Sequence, residues 1–169
     1  MTANVTPTTG MDSTELRKAF GAFPTGVVAL AGMSGRPEPT VIVASSFAVG
    51  VSQEPPLVMF AVQQSSTTWP ILRDLPSLGV SVLGESHTDV IRQLSAKDKT
   101  QRFAGVGTTV LPSGALLLDD APVHFECAIE SSHAAGDHEI VVLRVTGLAN
   151  DHSKQPIVFH RSAFARLSA

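Results

Sequence analysis

The stretch HFECAIESSHAAGDHEIVVLRVTGL, residues 124–148, is the part of the sequence that best indicates the fold. Apolar and polar residues alternate over residues 124–131, which is typical of a strand with one buried face. Residues 138–148 are rich in β-branched residues and predict a long strand. Gly136-Asp137-His138 opens that strand and has the composition of a turn. The stretch therefore predicts two strands separated by a turn.

Short apolar runs bounded by glycine, proline or serine predict further strands on both sides of this stretch. They cover residues 26–32, 40–49, 56–62, 78–83, 115–118, 157–160 and 163–167. Apolar spacing predicts helices over residues 67–75 and 88–96. Because the helices do not alternate regularly with the strands, the pattern disfavours a doubly wound parallel sheet. It favours a mainly β fold, an antiparallel barrel with a few appended helices.

The beginning of the chain differs in composition from the rest. Residues 1–12 are polar and predict a disordered tail, since they lack the cationic head and apolar centre of a signal peptide. Ser13 is predicted to cap a short helix that Pro24 ends. The apolar face of that helix would carry Leu16, Ala19, Phe20 and Phe23. Because no linker or internal repeat follows, residues 13–169 are predicted to form one domain.

The composition fits one domain with a sizeable core. Of the 169 residues, 43% are hydrophobic and 16% are charged, and the mean hydropathy is +0.19. No apolar run approaches the ~20 residues of a membrane span, so the apolar excess predicts a homo-oligomer that covers extra surface. A net charge of −3 without a basic stripe argues against a nucleic-acid partner. The single cysteine, Cys127, excludes an internal disulfide and fits a reducing cytoplasm.

Several common catalytic and cofactor motifs are missing from the sequence. There is no G-x-G-x-x-G after a strand, no P-loop and no G-x-S-x-G elbow, and Gly105-Val106-Gly107 is only a short G-x-G. The six histidines are scattered, and none forms a ligand pair of the H-E-x-x-H kind. We therefore predict neither a metal site nor a Rossmann domain.

Two serines, Ser45 and Ser46, stand inside the apolar run over residues 40–49. In one interpretation they are small strand residues whose hydroxyl groups bind neighbouring backbone. In the other, the small side chains let a flat ligand approach the strand closely, and the hydroxyl groups donate hydrogen bonds to it. The pattern alone leaves both interpretations open.

A polar segment, QQSSTTWP, covers residues 63–70 between a predicted strand and a predicted helix. A serine or threonine here would cap the helix, and Pro70 is tolerated in a first turn. The same hydroxyl groups, with backbone N–H groups at a helix start, would also suit a phosphate, and the two interpretations are compatible. Gly136-Asp137-His138 is likewise either a turn alone or a turn placed to meet a substrate.

Read together, six stretches resemble the flavin reductase-like family of flavin-binding split barrels, short-chain reductases that supply reduced flavin to a partner monooxygenase. They are LRKAFGAFPTGVVALAG (16–32), VASSFAVGVSQEPPLVMFAV (43–62), SSTTWPILR (65–73), QRFAG (101–105), LLDDAPVHFECAIE (117–130) and AAGDHEIVVLRV (134–145). The resemblance implies a six-stranded antiparallel split β-barrel that forms a homodimer, with the flavin in a groove at the subunit boundary.

The resemblance assigns site residues in four groups. The strand beside the isoalloxazine ring would be formed by Val43, Ala44, Ser45 and Ser46. The segment that holds the ribityl chain and phosphate would be formed by Gln64, Ser65, Ser66 and Thr67. The segment that helps to cover the site would be formed by Arg102, Phe103, Ala104 and Gly105. The turn near the nicotinamide would be formed by Gly136, Asp137 and His138.

The resemblance also implies the reaction. The chain would use NADH or NADPH to transfer hydride to FMN or FAD, and a flavin-dependent monooxygenase would receive the reduced flavin in a transient contact. Because the cofactors carry this chemistry, His138 would offer the nicotinamide a ring donor or a stacking edge and would not act as a general acid or base. The alternative is a flavin-binding split barrel that reduces another substrate directly, or that only binds and carries flavin.

The chain departs from the family pattern at three places. Many members have Thr-Ala-Asn-Ser where this chain has VASS, residues 43–46. Gly50 adds one residue before the Pro-Pro pair, which predicts a bulge. Near the end of the sequence, many members have Gly and Tyr where this chain has Arg161 and Phe164. These differences bear on flavin preference and affinity more than on the fold.

Overall fold

The computed structural model describes residue 5, residues 7–35 and residues 38–167. The predicted disordered tail over residues 1–12 lies partly outside these residues, so the division of the chain into a tail and one domain stays a prediction.

Strands dominate the part of the chain that the structure describes. The strands are β1 (Thr25–Gly26), β2 (Val28–Gly32), β3 (Thr40–Ala44), β4 (Ala48–Gln53), β5 (Pro56–Gln63), β6 (Leu78–Val82), β7 (Thr108–Val110), β8 (Leu116–Leu118), β9 (Val123–Ala135), β10 (His138–Asn150), β11 (Ile157–His160) and β12 (Ala163–Arg166). The helices are α1 (Ser13–Gly21), α2 (Trp69–Leu72) and α3 (Ile91–Leu94), with single 3-10 turns at Glu85–His87 and Lys99–Gln101. The predicted mainly β class is confirmed, and β7 is an additional strand that the sequence pattern did not predict.

Seven antiparallel strands form the main sheet, in the order β3-β2-β6-β9-β10-β5-β4. At its centre β9 and β10 form the long hairpin predicted from residues 124–148, with His138 paired to Ala135 at the turn. The remaining strands form two small sheets, β1-β11-β12 and the hairpin β7-β8. The helices are appended to the strands, as predicted.

The two edge strands of the main sheet come from one continuous segment, residues 40–53. Its first half, β3, pairs with β2, and its second half, β4, pairs with β5 at the other end of the strand order. This segment therefore joins the two edges and closes the sheet into a barrel. Counting β3 and β4 as one interrupted strand gives the six strands of the predicted split barrel.

The single strand predicted over residues 40–49 is wrong in one respect, because the structure breaks it at residues 45–47. The segment must leave β2 after Ala44, since Ala44 pairs with Val28, the first residue of β2. Across the break the Ser46 hydroxyl donates to the Ala61 carbonyl over 2.7 Å and accepts from the Ala61 N–H over 3.1 Å. Gly50 then lies at a register shift with a φ of 71°, which confirms the predicted bulge.

The core consists of two apolar clusters. One cluster fills the barrel, and its largest members are Phe60, Trp69, Leu78, Leu143 and Leu72. The other lies outside the main sheet, under α3 and the small sheets, and its largest members are Leu83, Ile91, Leu94, Leu116, Leu118 and Ile157. The fold thus places an apolar layer on both faces of β2 and β3, which explains their continuous apolar sequences.

Cys127 belongs to the barrel core, as its alternation with Phe125 and Ile129 predicts. Its side chain is fully buried, and burial together with the nearby charge of Glu126 raises the pKa of the thiol to about 12. Because a thiol with such a pKa is protonated at neutral pH, Cys127 acts as a small core hydrophobe and not as a nucleophile.

The predicted helices exist but differ in detail from the structure. Asp12 and not Ser13 caps α1, because the Asp12 carboxylate accepts a hydrogen bond from the Thr14 N–H. The helices predicted over residues 67–75 and 88–96 shrink to single turns, α2 and α3. Leu75 precedes a proline, which disfavours helical backbone there. Among the described residues, no helix is long and apolar enough to cross a membrane.

The apolar face predicted for α1 is not covered by its own chain. Phe20 and Phe23 are each 72% exposed, and α1 has no buried residue. The predicted short helix is therefore confirmed, and its apolar face is largely exposed on the single chain.

Candidate functional site

An apolar cleft of about 150 Å³ lies beside the break between β3 and β4. Its walls include Val43, Ser45, Ile91, Phe159 and Phe164. The two phenylalanine rings pack with centroids 5.3 Å apart across the β11-β12 hairpin. The cleft therefore combines aromatic and aliphatic walls with two serines, Ser45 and Ser95, an arrangement suited to a flat ring with polar edges.

The four residues predicted to run beside a ring divide between two faces of the strand. Val43 and Ser45 line the apolar cleft, whereas Ala44 belongs to the barrel core. This alternation follows from the period of two in strand side chains. The exposed Ser46 binds the backbone of Ala61, so the structural interpretation holds for Ser46 and the ligand interpretation remains available for Ser45.

The segment predicted to hold a phosphate contacts the Gly136-Asp137-His138 turn. The Gln64 amide N–H donates to the Asp137 carbonyl over 3.0 Å. The Gln64 side-chain amide donates to the carbonyls of Gly136 and His138, each over 3.3 Å. Gly136 has a φ of 63°, a backbone conformation that favours glycine, so the turn itself is confirmed. Through Gln64, the structure thus brings the predicted phosphate segment and the predicted nicotinamide turn together.

His138 is half-exposed at this turn, and its Nδ1 lies 2.7 Å from a carboxylate oxygen of Asp137. That hydrogen bond, with the charge of the histidine, lowers the pKa of Asp137 below its usual value. Because Nδ1 is engaged by Asp137, the ring presents Nε2 outward as its available nitrogen. Asp137 therefore orients the imidazole.

The hydroxyl groups of the 65–67 segment divide between capping and exposure. Ser66 Oγ accepts hydrogen bonds from the N–H groups of Thr68 and Trp69, over 3.3 and 3.1 Å, so Ser66 caps the start of α2 in place of the N-cap residue Thr68, which makes no side-chain cap hydrogen bond. Ser65 and Thr67 are exposed, and Ser66 is partly buried. Since α2 is a single turn whose first N–H groups are bound by Ser66, the hydroxyl groups of this segment that are left for a phosphate are those of Ser65 and Thr67.

A second cleft, of about 290 Å³, lies between the hydroxyl segment and β10 and contains a carboxylate that the sequence reading did not single out. Glu139 accepts a hydrogen bond from Trp69 Nε1 over 2.8 Å and another from the Ser132 hydroxyl, and Arg73 lies 4.0 Å away. These contacts, with the Ser132 hydrogen bond the strongest, lower the pKa of Glu139. The ionised Glu139 disfavours an anion in this cleft, although Arg73 offsets part of its charge. Only its position after His138 in the sequence could have indicated it.

The predicted cover segment is anchored between the two clefts. Arg102 donates from Nη1 to the Val41 carbonyl over 2.9 Å and from Nε to the Ala96 carbonyl over 2.8 Å. Lys99, which the sequence reading also missed, donates to the Thr67 carbonyl over 3.2 Å. An ammonium group therefore lies beside the hydroxyl segment, where it would stabilise a phosphate.

Phe103 and Gly105 do not line the apolar cleft, and their predicted role in covering the site stays a prediction. Phe103 is partly buried against the second core cluster. Gly105, with a φ of 72°, lines a different cleft of about 190 Å³ together with His87 and Asp119. The described residues contain no group of three histidine, cysteine, aspartate or glutamate side chains that could hold a metal ion.

Comparison with known proteins identifies one family that matches most of the chain and several similar proteins. The family described as Flavin reductase like domain matches residues 20–168. The reductase subunit HsaB of a flavin-dependent monooxygenase from Rhodococcus jostii is 30% identical over 154 residues, 91% of this chain and 77% of that protein. An actinorhodin polyketide dimerase from Streptomyces coelicolor is 32% identical over 156 residues, 92% of this chain and 87% of that protein. A solved NADH:FAD oxidoreductase from Streptomyces globisporus, in complex with NAD and FAD fragments, has a TM-score of 0.86 and 31% identity, with 98% of each chain covered.

Proposed function

This chain belongs to the family of flavin reductase like domains, and from that membership we infer that it is an NAD(P)H:flavin oxidoreductase. It takes hydride from NADH or NADPH, reduces FMN or FAD and supplies the reduced flavin to a partner monooxygenase. The observation that carries this function is the apolar cleft beside Ser45, closed by the Phe159 and Phe164 rings. A bound flavin supplies the redox chemistry, and the chain supplies position and electrostatics.

In the proposed site, Val43 and Ser45 contact the ring system from the barrel side. Ser45 is the only polar group that β3 and the break present to this cleft, so its hydroxyl would bind a polar edge of the ring. Ser65, Thr67 and Lys99 would bind the first phosphate, because the Lys99 ammonium reaches the Thr67 carbonyl and both hydroxyl residues are exposed.

His138 would contact the nicotinamide through Nε2 or through the face of its ring. Hydride transfer needs the donor carbon and the acceptor atom held about 3–3.5 Å apart, so small errors of position are costly. The Gln64 side chain fixes the carbonyls on both sides of Asp137, and Asp137 fixes the imidazole. These contacts make Gln64 and Asp137 positioning residues and keep His138 as the contact residue.

Replacing His138 by alanine is expected to raise the KM for NADH about five- to tenfold, because one hydrogen bond or stacking contact to the nicotinamide is lost. The KM for flavin is expected to stay within about twofold, since His138 lies at the turn and not in the apolar cleft. Steady-state kinetics with each substrate varied in turn measures both values. His133→Ala, on the adjoining strand, is the control. An unchanged KM for NADH would mean that Gly136-Asp137-His138 forms only a turn and does not contact the nicotinamide.

The proposed activity is tested by oxidation of NADH and NADPH in the presence of riboflavin, FMN or FAD. Turnover that depends on added flavin is the expected result. The similarity to an actinorhodin polyketide dimerase favours one alternative, a member that acts directly on an organic substrate. Flavin retained through purification, with no turnover of added flavin, would favour that alternative or a flavin carrier.

We also propose that the chain is a homodimer in which the second copy covers α1. Phe20 and Phe23 are each 72% exposed, and Val49 and Leu148 are 64% and 66% exposed. So many large apolar side chains at the surface of one chain are typical of an interface. A cytoplasmic location remains a prediction, which the buried free thiol of Cys127 supports.

The double variant Phe20→Ser, Phe23→Ser is expected to shift the molecule from dimer to monomer, because it removes the apolar face of α1. Light scattering gives the mass of each species. Circular dichroism should show the same strand content as the unmodified chain, since neither side chain is buried in the single chain. An unmodified chain that is monomeric at micromolar concentration would contradict the proposal.

A further inference from the structure

A basic cleft of about 270 Å³ lies between α1 and the turn of the β11-β12 hairpin. It is lined by Arg17, Lys18, Gly21, Arg161 and Ser162. Three of these side chains are cationic, and no acidic residue lines the cleft. The cleft is therefore locally positive in a chain whose net charge is −3, which favours an anionic ligand there.

The cations of this cleft are among the described basic residues that have no ion-pair partner, as are Arg92, Lys97, Lys99 and Arg102. Elsewhere, the arginines and lysines with a carboxylate within 4.0 Å are Arg73, Arg144, Lys154 and Arg166. Arg17, Lys18 and Arg161 make no such ion pair with any described residue. Their charge is therefore available to a ligand.

The backbone at the hairpin turn indicates that Arg161 is kept for its side chain. Arg161 and Ser162 have φ values of 49° and 62°, so both occupy the left-handed region that favours glycine. A two-residue turn of this kind normally carries Asn-Gly or a similar pair. An arginine there is conformationally unfavourable.

Arg161 is also fixed against α1. Its backbone N–H donates to the Gly21 carbonyl over 2.7 Å, which holds the turn at the end of the helix. The macrodipole of α1 accounts for one cation in its last turn, Lys18. The macrodipole does not account for Arg161, which comes from the opposite end of the chain and has an unfavourable left-handed backbone conformation. By helical spacing, Lys18 lies about 160° around α1 from Phe20, whereas Arg17 lies only about 60° from it. The dimer contact proposed above therefore leaves Lys18 accessible and places Arg17 at its edge.

The basic cleft adjoins the apolar cleft. Phe159 and Phe164, which line the apolar cleft, are each two residues from the turn residues Arg161 and Ser162. At about 3.3 Å per strand residue, roughly 7 Å of hairpin separates the two sets of side chains. One ligand with a ring system and a phosphorylated arm can reach both clefts.

We propose that the basic cleft binds the adenosine-side phosphate groups of a dinucleotide whose ring system occupies the apolar cleft. This inference rests on the proposed function. The shared chemistry is a nucleotide phosphate, and FAD and the nicotinamide dinucleotide are its two sources. Arg17 and Arg161 provide the paired donors that phosphate oxygens accept.

The test is the variant Arg161→Gly, which removes the cation and suits the φ of the turn. Its melting temperature is expected to be unchanged or higher by about 2–4 °C. The KM for riboflavin, which has no phosphate, is expected to stay within about twofold. The KM for FAD or for the nicotinamide dinucleotide is expected to rise about three- to tenfold, the effect of one exposed charge-assisted hydrogen bond. Arg17→Gln is expected to act in the same direction.

Two arms identify the source of the phosphate. A KM that rises for FAD but not FMN assigns the cleft to FAD, and a KM that rises for NADH or NADPH with riboflavin as acceptor assigns it to the nicotinamide dinucleotide. Arg166→Gln, on the same hairpin but paired with Glu85, is the matched control and should change neither. If the KM for FAD and the KM for the nicotinamide dinucleotide both stay within twofold in an active enzyme, the basic cleft is not a nucleotide site. If the unmodified chain oxidises no NADH with any flavin, the proposed function itself fails.

Discussion

A Gly79→Ala variant is expected to lose at least about 3–5 kcal/mol of folding free energy and to be largely unfolded at 37 °C. Gly79 is buried in β6, between Ala31 of β2 and Glu126 of β9. A Cβ atom there would lie 2.0 Å from the Leu116 carbonyl oxygen and 2.5 Å from its carbonyl carbon. The obstacle is backbone, so no rotamer change relieves the overlap, and β8 would have to move away from the sheet.

Urea denaturation followed by circular dichroism measures this loss. Gly26→Ala is the control, because nothing lies within 4 Å of a Cβ at Gly26, and its stability should change by about 0.5 kcal/mol or less. A Gly79→Ala variant with the midpoint of the unmodified chain would mean that the Leu116 backbone does not lie against Gly79.

The variant Ser45→Phe is expected to weaken the binding of riboflavin, FMN and FAD together, each by about thirtyfold or more. The new ring would enter the apolar cleft of about 150 Å³ and occupy the space assigned to the isoalloxazine. Ser45 is exposed, so the melting temperature should change little. Quenching of flavin fluorescence on titration gives the Kd values.

Ser45→Ala separates the volume of the new side chain from the loss of the hydroxyl group. It removes one hydrogen bond and should weaken flavin binding only about threefold to tenfold. If Ser45→Phe binds all three flavins normally, the ring lies elsewhere on the barrel and the proposed site is wrong.

The strands could be predicted because burial of one face leaves a period of two in the sequence, as at Phe125, Cys127 and Ile129. The break at Ser45–Phe47 could not, since it depends on where β2 begins and not on the residues of the break. The exposure of Phe20 could not be predicted, because apolar spacing shows that a face needs covering but not which chain covers it.

The candidate site was only partly predictable for the same reason. The residues within one stretch, such as Gln64 and Ser65, could be assigned from their local pattern. The walls supplied by Phe159 and Phe164, and the meeting of Arg17 with Arg161, depend on strand pairing between distant parts of the chain. Glu139 gives no local signal that separates it from an ordinary polar strand residue.

The interrupted edge strand over residues 40–53 limits how this molecule can diversify. The same few residues hold the two ends of the cylinder together and form one wall of the ring pocket, so a change made for one task disturbs the other. New substrate preferences would arise more easily in the β11-β12 hairpin. Because this hairpin belongs to a separate small sheet, a change in its strand pairing leaves the barrel intact. Libraries that vary the β11-β12 hairpin and keep residues 40–53 constant should therefore yield more folded variants with an altered preference for nucleotides than libraries that vary residues 40–53.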